Sequence, residues 1–159
     1  MSFIFVILRQ NSPNIIPNSM FCSKACEYAI RTMIYLGSQP EGEIISISKL
    51  SAELDISFTF LTKVLQQLTD VDLLNSFKGA KGGVRLAKSP TLIHIDEIIK
   101  AVSGSDMMSL CAIGNPHCDP QDQCPLHARW NPVKEILADF YKETTLKNFK
   151  QPLFEYLLK

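Results

Sequence analysis

Two apolar helical patterns separated by only three residues most strongly constrain the fold of this chain. The first covers residues 46–54 and begins with Ser46, a favoured N-cap residue. The second follows another such residue, Ser57, and repeats apolar side chains at i, i+3, i+4 and i+7. Its apolar members are Leu61, Val64, Leu65 and Leu68. Helices joined this tightly predict a helix-turn-helix, although any packed helix pair in an α-rich domain satisfies the same spacing.

A glycine-rich hairpin is predicted directly after this helix pair. The stretch LLNSFKGAKGGVRLAK alternates apolar and polar residues on both sides of a glycine cluster, which is typical of two short strands and a tight turn. We expect positive-φ corners at Gly79, Gly82 and Gly83. A hairpin in this position is the wing of a winged helix-turn-helix.

The same region carries a local positive charge in a chain whose formal net charge is zero. Between residues 57 and 89, five basic side chains stand against two acidic ones, which gives +3. A positive face attracts nucleic-acid phosphates by releasing their counterions, so the segment predicts DNA contact. A basic hairpin that is only solvated is the alternative. The basic residues are Lys63, Lys78, Lys81, Arg85 and Lys88.

Three further helices are predicted outside this unit. One begins after Ser23, a second ends at Gly104, and a third is capped by Asn131 with proline at its first position and ends at Pro152. The last helix is amphipathic, and it serves either as part of the core or as a dimerisation surface. Its apolar side chains are Val133, Ile136, Leu137 and Phe140, continued by Leu146 and Phe149.

A proline-rich segment, residues 111–127, holds three of the five cysteines and two of the three histidines. The gaps of six and five residues between its cysteines do not match the closely paired cysteines of structural zinc sites. They suit a polynuclear iron–sulfur cluster, which three thiolates and an imidazole complete. Zinc, or reduced cysteines that only pack, remain alternatives. The donors are Cys111, Cys118, Cys124 and His127, with His117 ranked lower.

The remaining features exclude several classes of protein. We find no nucleophile–base pair, phosphate loop or cofactor motif, so an enzyme is not expected. No apolar run approaches the roughly 18 residues of a membrane span, and the short opening run lacks the basic start of a signal peptide, so we expect a cytoplasmic protein with no membrane partner.

From Met20 onward the chain resembles the winged-helix transcription regulators of the IscR, NsrR and CymR type (the Rrf-type regulators), and the IscR branch in particular. The motifs SKACEYAIRTMIYL, ISFTFLTKVLQQL, KGAKGGVRLAK and C-x6-C-x5-CPLHARW carry the resemblance. It implies a mainly α fold with a small β-hairpin wing and a long C-terminal dimerisation helix. It also implies a homodimer that binds double-stranded palindromic promoter DNA under the control of an iron–sulfur cluster.

The resemblance divides the chain into four parts. We expect a mobile N-terminal extension, a winged helix-turn-helix DNA-binding domain, a linker helix with the cluster-binding loop, and a dimerisation helix with a tail. Their bounds are 1–19, 20–90, 91–128 and 129–159.

The resemblance also implies roles for single residues. A [2Fe-2S] cluster, or alternatively a [4Fe-4S] cluster, is held by Cys111, Cys118, Cys124 and His127, with Glu27 as the alternative fourth ligand. The residues expected at the DNA are Thr59, Phe60, Thr62, Lys63 and Lys78, together with Lys81 and Arg85 of the basic wing.

Substitutions at three positions relative to the IscR branch limit what the resemblance implies. In the predicted recognition helix, Thr62 and Lys63 stand where the IscR branch has a glutamate and a glutamine. The operator sequence of that branch therefore cannot be transferred to this chain. Asp72 replaces the glycine that usually precedes the wing.

A cluster-free repressor controlled by a protein partner or small ligand is one alternative function, and a metal- or cluster-binding protein without DNA binding is another.

Overall fold

The computed structural model of the protein describes residues 23–79, 81–104, 111 and 124–149. These residues form five α-helices and one antiparallel two-stranded hairpin, which confirms the predicted class, mainly α with a β-hairpin wing. The elements are α1 (Lys24–Ser38), α2 (Ile47–Leu54), α3 (Phe58–Asp70), β1 (Leu74–Phe77), β2 (Gly83–Leu86), α4 (Ile95–Ser103) and α5 (Pro125–Glu143). Short 3-10 turns cover Pro90–Leu92 and Leu146–Asn148. The predicted extension, residues 1–19, lies outside the described residues.

Serine caps start the first three helices, as the sequence predicts. The hydroxyls of Ser23, Ser46 and Ser57 each accept a hydrogen bond from the backbone N–H three residues later, at 3.2, 3.2 and 3.4 Å. Asp55 ends α2 in the left-handed region, with φ +51°, and this sharp change of direction allows α3 to begin at Phe58. Local backbone chemistry therefore sets the helix-turn-helix.

One hydrophobic core joins α1, α2, α3, the hairpin and α4. The apolar positions predicted for α3 all face it, and α4 packs against both α1 and α3. Leu146, which follows α5, is buried in the same core. The core side chains with the least exposure include Met33, Leu50, Leu61, Leu68 and Ile98.

The hairpin is anchored to the rest of the domain through Ile45. The Ile45 N–H donates to the Val84 carbonyl and the Val84 N–H donates to the Ile45 carbonyl, both at 2.9 Å. Of the three glycines expected at positive φ, only Gly79 has such a value, +102°. The expectation is wrong for Gly82 and Gly83, where close backbone contacts, and not a positive φ, require glycine. A Cβ at Gly82 would lie 2.5 Å from the Phe77 carbonyl oxygen, and one at Gly83 would collide with the Ile45 carbonyl.

Helix α5 begins at Pro125, with Cys124 as its N-cap, so the predicted start at Asn131 is wrong. Both prolines suit the first position of a helix, and the earlier one takes it. Pro132 then lies inside the helix and gives no N–H to the carbonyl of Ala128. Because Ala128 and Pro132 are both exposed, water can reach the carbonyl that loses its donor.

The end of α5 also differs from the prediction, because the helix stops at Glu143 and does not continue towards Pro152. The chain instead returns to the start of α4. The Ile95 N–H donates to the Thr144 carbonyl and the Leu146 N–H donates to the Ile93 carbonyl, both at 3.0 Å. No helix within the described ranges is long and apolar enough to cross a bilayer.

Candidate nucleic-acid interface and metal centre

Helix α3 presents its polar residues on the side opposite its buried stripe. Thr59, Phe60 and Lys63 are exposed, and Thr62 is half-buried. The Thr62 hydroxyl donates to the Phe58 carbonyl at 2.8 Å, so its oxygen keeps acceptor capacity for an outside donor. The structure therefore brings the four predicted α3 residues to one end of this helix.

Two aromatic side chains extend the exposed surface at the start of α3. Phe58 is 51% exposed and Phe60 is 38% exposed. The Phe60 ring meets the Tyr28 ring of α1 edge-on, with 5.4 Å between centroids, so α1 supports it. Sequence reasoning missed Phe58, and it also missed Gln66, an exposed residue less than one turn beyond Lys63. The signal was available, because both residues lie outside the buried i, i+3, i+4, i+7 pattern.

The turn between α2 and α3 is held by a side chain from α1. Arg31 donates from Nη2 to the Leu54 carbonyl at 3.0 Å, at the C-terminal end of α2 where positive charge is favourable. The Ser51 hydroxyl donates to the Ile56 carbonyl at 2.6 Å. These bonds fix the angle at which α3 leaves the turn. No spacing in the sequence indicates them.

The wing carries its basic residues in two settings. Lys78 and Lys81 are exposed near the turn. Arg85 lies on β2, with its guanidinium carbon 5.0 Å from the centroid of the Phe77 ring. Phe77 pairs with Gly83 across the hairpin, and Arg85 follows two residues after this glycine on the same strand. This cation–π contact fixes the direction of the Arg85 charge, and sequence reasoning missed Phe77.

The predicted metal donors are placed only in part. Cys124 and His127 lie at the N-cap and in the first turn of α5, and both are half-buried, as is Cys111. Cys118 lies outside the described residues. Across the ranges that the structure describes, no three His, Cys, Asp or Glu side chains converge into a metal-binding group. Cys26 is buried and disulfide-bonded.

The alternative ligand Glu27 is engaged on α1. Its carboxylate lies 2.8 Å from the Lys24 ammonium and 3.7 Å from an Arg31 guanidinium nitrogen. The hydrogen bond from Lys24 to this carboxylate raises the pKa of the exposed lysine. A metal ion at Glu27 would compete with both cations for the carboxylate oxygens.

Helix α5 has two apolar sides with different surroundings. Leu137 and Tyr141 pack against the core, beside the buried Lys134 and Ala138. The other side is exposed, and Ile136 is the extreme case at 70%. The exposed apolar side chains, called here the α5 stripe, are Leu126, Val133, Ile136 and Phe140. Leu126, Val133 and Phe140 recur every seven residues, the spacing of a helix–helix contact.

Comparisons with known proteins agree with this geometry. The model of a family described as Rrf2, Iron-dependent Transcriptional regulator, matches residues 22–152. A curated protein of Aquifex aeolicus (strain VF5), named "Putative HTH-type transcriptional regulator", is 28% identical over 131 residues, covering 81% of this chain and 90% of that protein.

Two solved structures are similar in fold. CymR, the global cysteine regulator of B. subtilis, has a TM-score of 0.67 at 23% identity, covering 84% of this chain and 95% of that one. IscR of T. potens has a TM-score of 0.63 at 23% identity, covering 79% and 82%.

Proposed function

The chain belongs to the Rrf2 family of transcriptional regulators, as its motifs indicate, and from this premise we propose how it binds DNA and what controls it. Members of this family are transcription factors, so the chain is a DNA-binding transcription regulator and not an enzyme. We propose a homodimer that inserts the start of α3 into the major groove and sets the wing against flanking phosphates. The observation that carries the proposal is the run of exposed polar and basic side chains from α3 to the wing.

Helix α3 has the composition of a recognition helix. A residue near the N-terminus of such a helix reaches base edges, while the buried stripe holds the helix on the domain. Lys63 offers donors to guanine or to a phosphate, and Gln66 offers the amide that pairs with adenine. Phe60, supported by Tyr28, offers an apolar contact to a thymine methyl group. The proposed base-facing residues are Thr59, Phe60, Thr62, Lys63 and Gln66.

The wing contributes positive charge to the proposed interface more than it contributes base recognition. Lys78 and Lys81 are exposed on either side of the turn, where Gly79 lets the backbone come close to the sugar-phosphate chain. Arg85 adds a planar guanidinium whose direction Phe77 restricts. We assign these three cations to phosphates or to a minor-groove edge.

Self-association through the α5 stripe supports binding to a palindrome. A monomeric surface rarely leaves side chains such as Ile136 and Phe140 this exposed on one helix face. A two-fold contact between α5 helices would bury both stripes and place two α3 helices in the same relation as two operator half-sites.

An iron–sulfur cluster is the proposed controlling group. Cys124 and His127 share one turn at the start of α5, and a thiolate and an imidazole so placed fit a soft iron site. Cys111 and Cys118 complete the donor set for a [2Fe-2S] cluster, with [4Fe-4S] as the alternative. Because two cations hold Glu27, His127 is favoured as the fourth ligand. A bound cluster supplies redox and oxygen sensitivity, while the chain's own ligands order the first turn of the helix that carries the α5 stripe.

The DNA interface is tested by fluorescence anisotropy with promoter fragments at several salt concentrations. Lys63→Ala and Lys78→Ala should each weaken binding and lower the slope of log affinity against log salt by about 1. Lys147→Ala removes an exposed lysine outside the interface and should leave both quantities unchanged. Equal salt slopes for all three variants would contradict the interface.

The cluster is tested on protein isolated without oxygen. Visible absorption and bound iron should be present in the wild type and lost in Cys118→Ala. His127→Ala should alter the spectrum, whereas Glu27→Gln should not if His127 is the fourth ligand. A colourless, iron-free protein that still binds its promoter would support the cluster-free alternative, in which a protein partner or a small ligand exerts control.

A further inference from the structure

A cleft of about 450 Å³ lies at the base of the wing, and its lining includes neither Cys111, Cys124 nor His127. The loop after α1, residues 39–43, forms one wall. The end of β2 and the chain that follows it, residues 85–90, form the other. This volume falls within the range of roughly 300–1,000 Å³ that small-molecule sites occupy. We propose that the cleft binds a free α-amino acid.

The charges on the two walls carry this assignment. Arg85 and Lys88 line the wing side, and Glu41 and Glu43 line the loop side. Among the described residues, the nearest ion-pair partner of Lys88 is Glu97 at 3.8 Å, and neither Glu41 nor Glu43 forms an ion pair within 4.0 Å. The cavity therefore keeps opposite charges apart. A zwitterion satisfies both walls at once, with its carboxylate at Arg85 and Lys88 and its ammonium at the two glutamates.

The uncharged lining suits the rest of such a molecule. Gln39, Asn75 and Ser89 bring side chains that donate and accept hydrogen bonds, and Leu36 and Leu86 bring apolar surface. A simple anion such as acetate would leave the acidic wall without a partner, and a simple amine would leave the basic wall without one. The two oppositely charged walls therefore favour a zwitterion over a simple anion or a simple amine.

Arg85 connects the cleft to the DNA interface. Its guanidinium contacts the Phe77 ring, and the same side chain lines the cleft. A carboxylate bound at Arg85 competes with a phosphate for that guanidinium. The amino acid should therefore weaken operator binding. This consequence rests on the proposed function, whereas amino-acid binding itself does not.

Binding is tested on the full-length protein without DNA. Thermal unfolding is followed with each of the twenty protein amino acids, and with acetate and methylammonium as single-charge controls. At least one amino acid should raise the melting temperature saturably, because a ligand of the folded state stabilises it by mass action. Neither control should do so. Calorimetric titration then gives the dissociation constant of the amino acid that responds.

Matched variants locate the site. Arg85→Gln and Glu43→Gln should each raise the dissociation constant about tenfold or more, since each removes one of the two charge contacts. Lys81→Gln removes a wing charge outside the cleft and should leave the constant unchanged. If none of the twenty amino acids stabilises the protein, or if both cleft variants bind as the wild type does, the proposal is wrong.

Coupling to DNA is measured separately. The amino acid should lower promoter affinity in the wild type but not in Glu43→Gln, whose own promoter affinity should match that of the wild type. Unchanged promoter affinity in the presence of a bound amino acid would overturn the coupling. A protein that binds the amino acid but no DNA would overturn the proposed function alone.

Discussion

Helices α1–α4 and helix α5 bury their apolar side chains in different ways. In the first region, Leu50, Leu61 and Ile98 are fully buried within one chain. In α5, the side chains below a tenth exposed are Lys134 and Ala138, whereas Ile136 is 70% exposed. The first region thus has a complete core within one chain. Helix α5 has one side that packs on this core and another, the α5 stripe, that lacks a covering surface within the described residues.

This difference separates two requirements of a DNA-binding protein. A recognition helix must be held rigidly, and the closed core around α3, the proposed recognition helix, does this within one polypeptide. A palindromic operator requires two such helices at a fixed spacing, and that spacing comes from a surface shared between copies. We therefore expect mutations in the two regions to affect different measurements.

The largest effect is expected from Leu61→Ala in the closed core. The side chain is fully buried on α3, and its truncation should lower the free energy of unfolding by about 2–5 kcal/mol. Urea denaturation at low protein concentration measures this loss. Ile136→Ala is the matched control in α5 and should change the value by less than about 0.5 kcal/mol, as exposed substitutions do. Equal losses of unfolding free energy for Leu61→Ala and Ile136→Ala would contradict the difference between the closed core and the exposed side of α5.

A smaller effect, on a different observable, is expected from Ile136→Asp. In a dimer joined by the α5 stripes, both copies lose a buried side chain worth about 1.5 kcal/mol or more each, so the dissociation constant should rise at least about 100-fold. Sedimentation equilibrium measures this constant. Glu135→Ala, an exposed change on the side of the same helix away from the stripe, should leave it unchanged. A wild-type protein that is monomeric at every concentration would contradict the role of the stripe.

The closed region was largely predictable because its signals are local. Ser46 and Ser57 cap helices through bonds to their own next turn, and the period of Leu61 and Leu68 alone identifies the buried face of α3. The wing was recognisable from glycines and alternating polarity. The α3 residues that the resemblance assigns to DNA contact are exposed or half-buried, and their role stays a prediction.

What sequence reasoning missed depends on contacts between distant segments. The bond from Arg31 to the Leu54 carbonyl joins α1 to the turn before α3, and no spacing rule predicts it. The need for glycine at Gly83 comes from the Ile45 backbone. The contact of Arg85 with Phe77 required the hairpin register. For α5, the sequence predicted a start after Asn131, whereas the helix begins at Pro125. The cluster assignment stays a prediction, since Cys118 lies outside the described residues.

A third prediction concerns backbone strain between α3 and the wing. Asp72 has φ +57°, a conformation that glycine adopts freely and that aspartate tolerates better than alanine. Asp72→Ala should cost about 0.5–1 kcal/mol of unfolding free energy, while Asp72→Gly should change it by less than about 0.5 kcal/mol. Urea denaturation of both variants tests this. The reverse order would show that the carboxylate, and not the backbone angle, matters at this position.

The smallest predicted effect distinguishes the two sides of α5. Burial raises the pKa of Tyr141, and burial together with Glu53 and Glu43 raises the pKa of Tyr35 in the closed core. A raised pKa means that each neutral phenol stabilises the fold fully below the ordinary tyrosine pKa of about 10, and that this contribution is lost as pH rises through the folded value. Because Tyr141 packs on the core of its own chain, its pKa should stay raised in the Ile136→Asp variant. Ultraviolet titration, with Tyr141→Phe to assign the signal, measures it. A fall of the Tyr141 pKa to its ordinary value in Ile136→Asp, with Tyr35 unchanged, would mean that α5 needs a second copy even to stay on its own core.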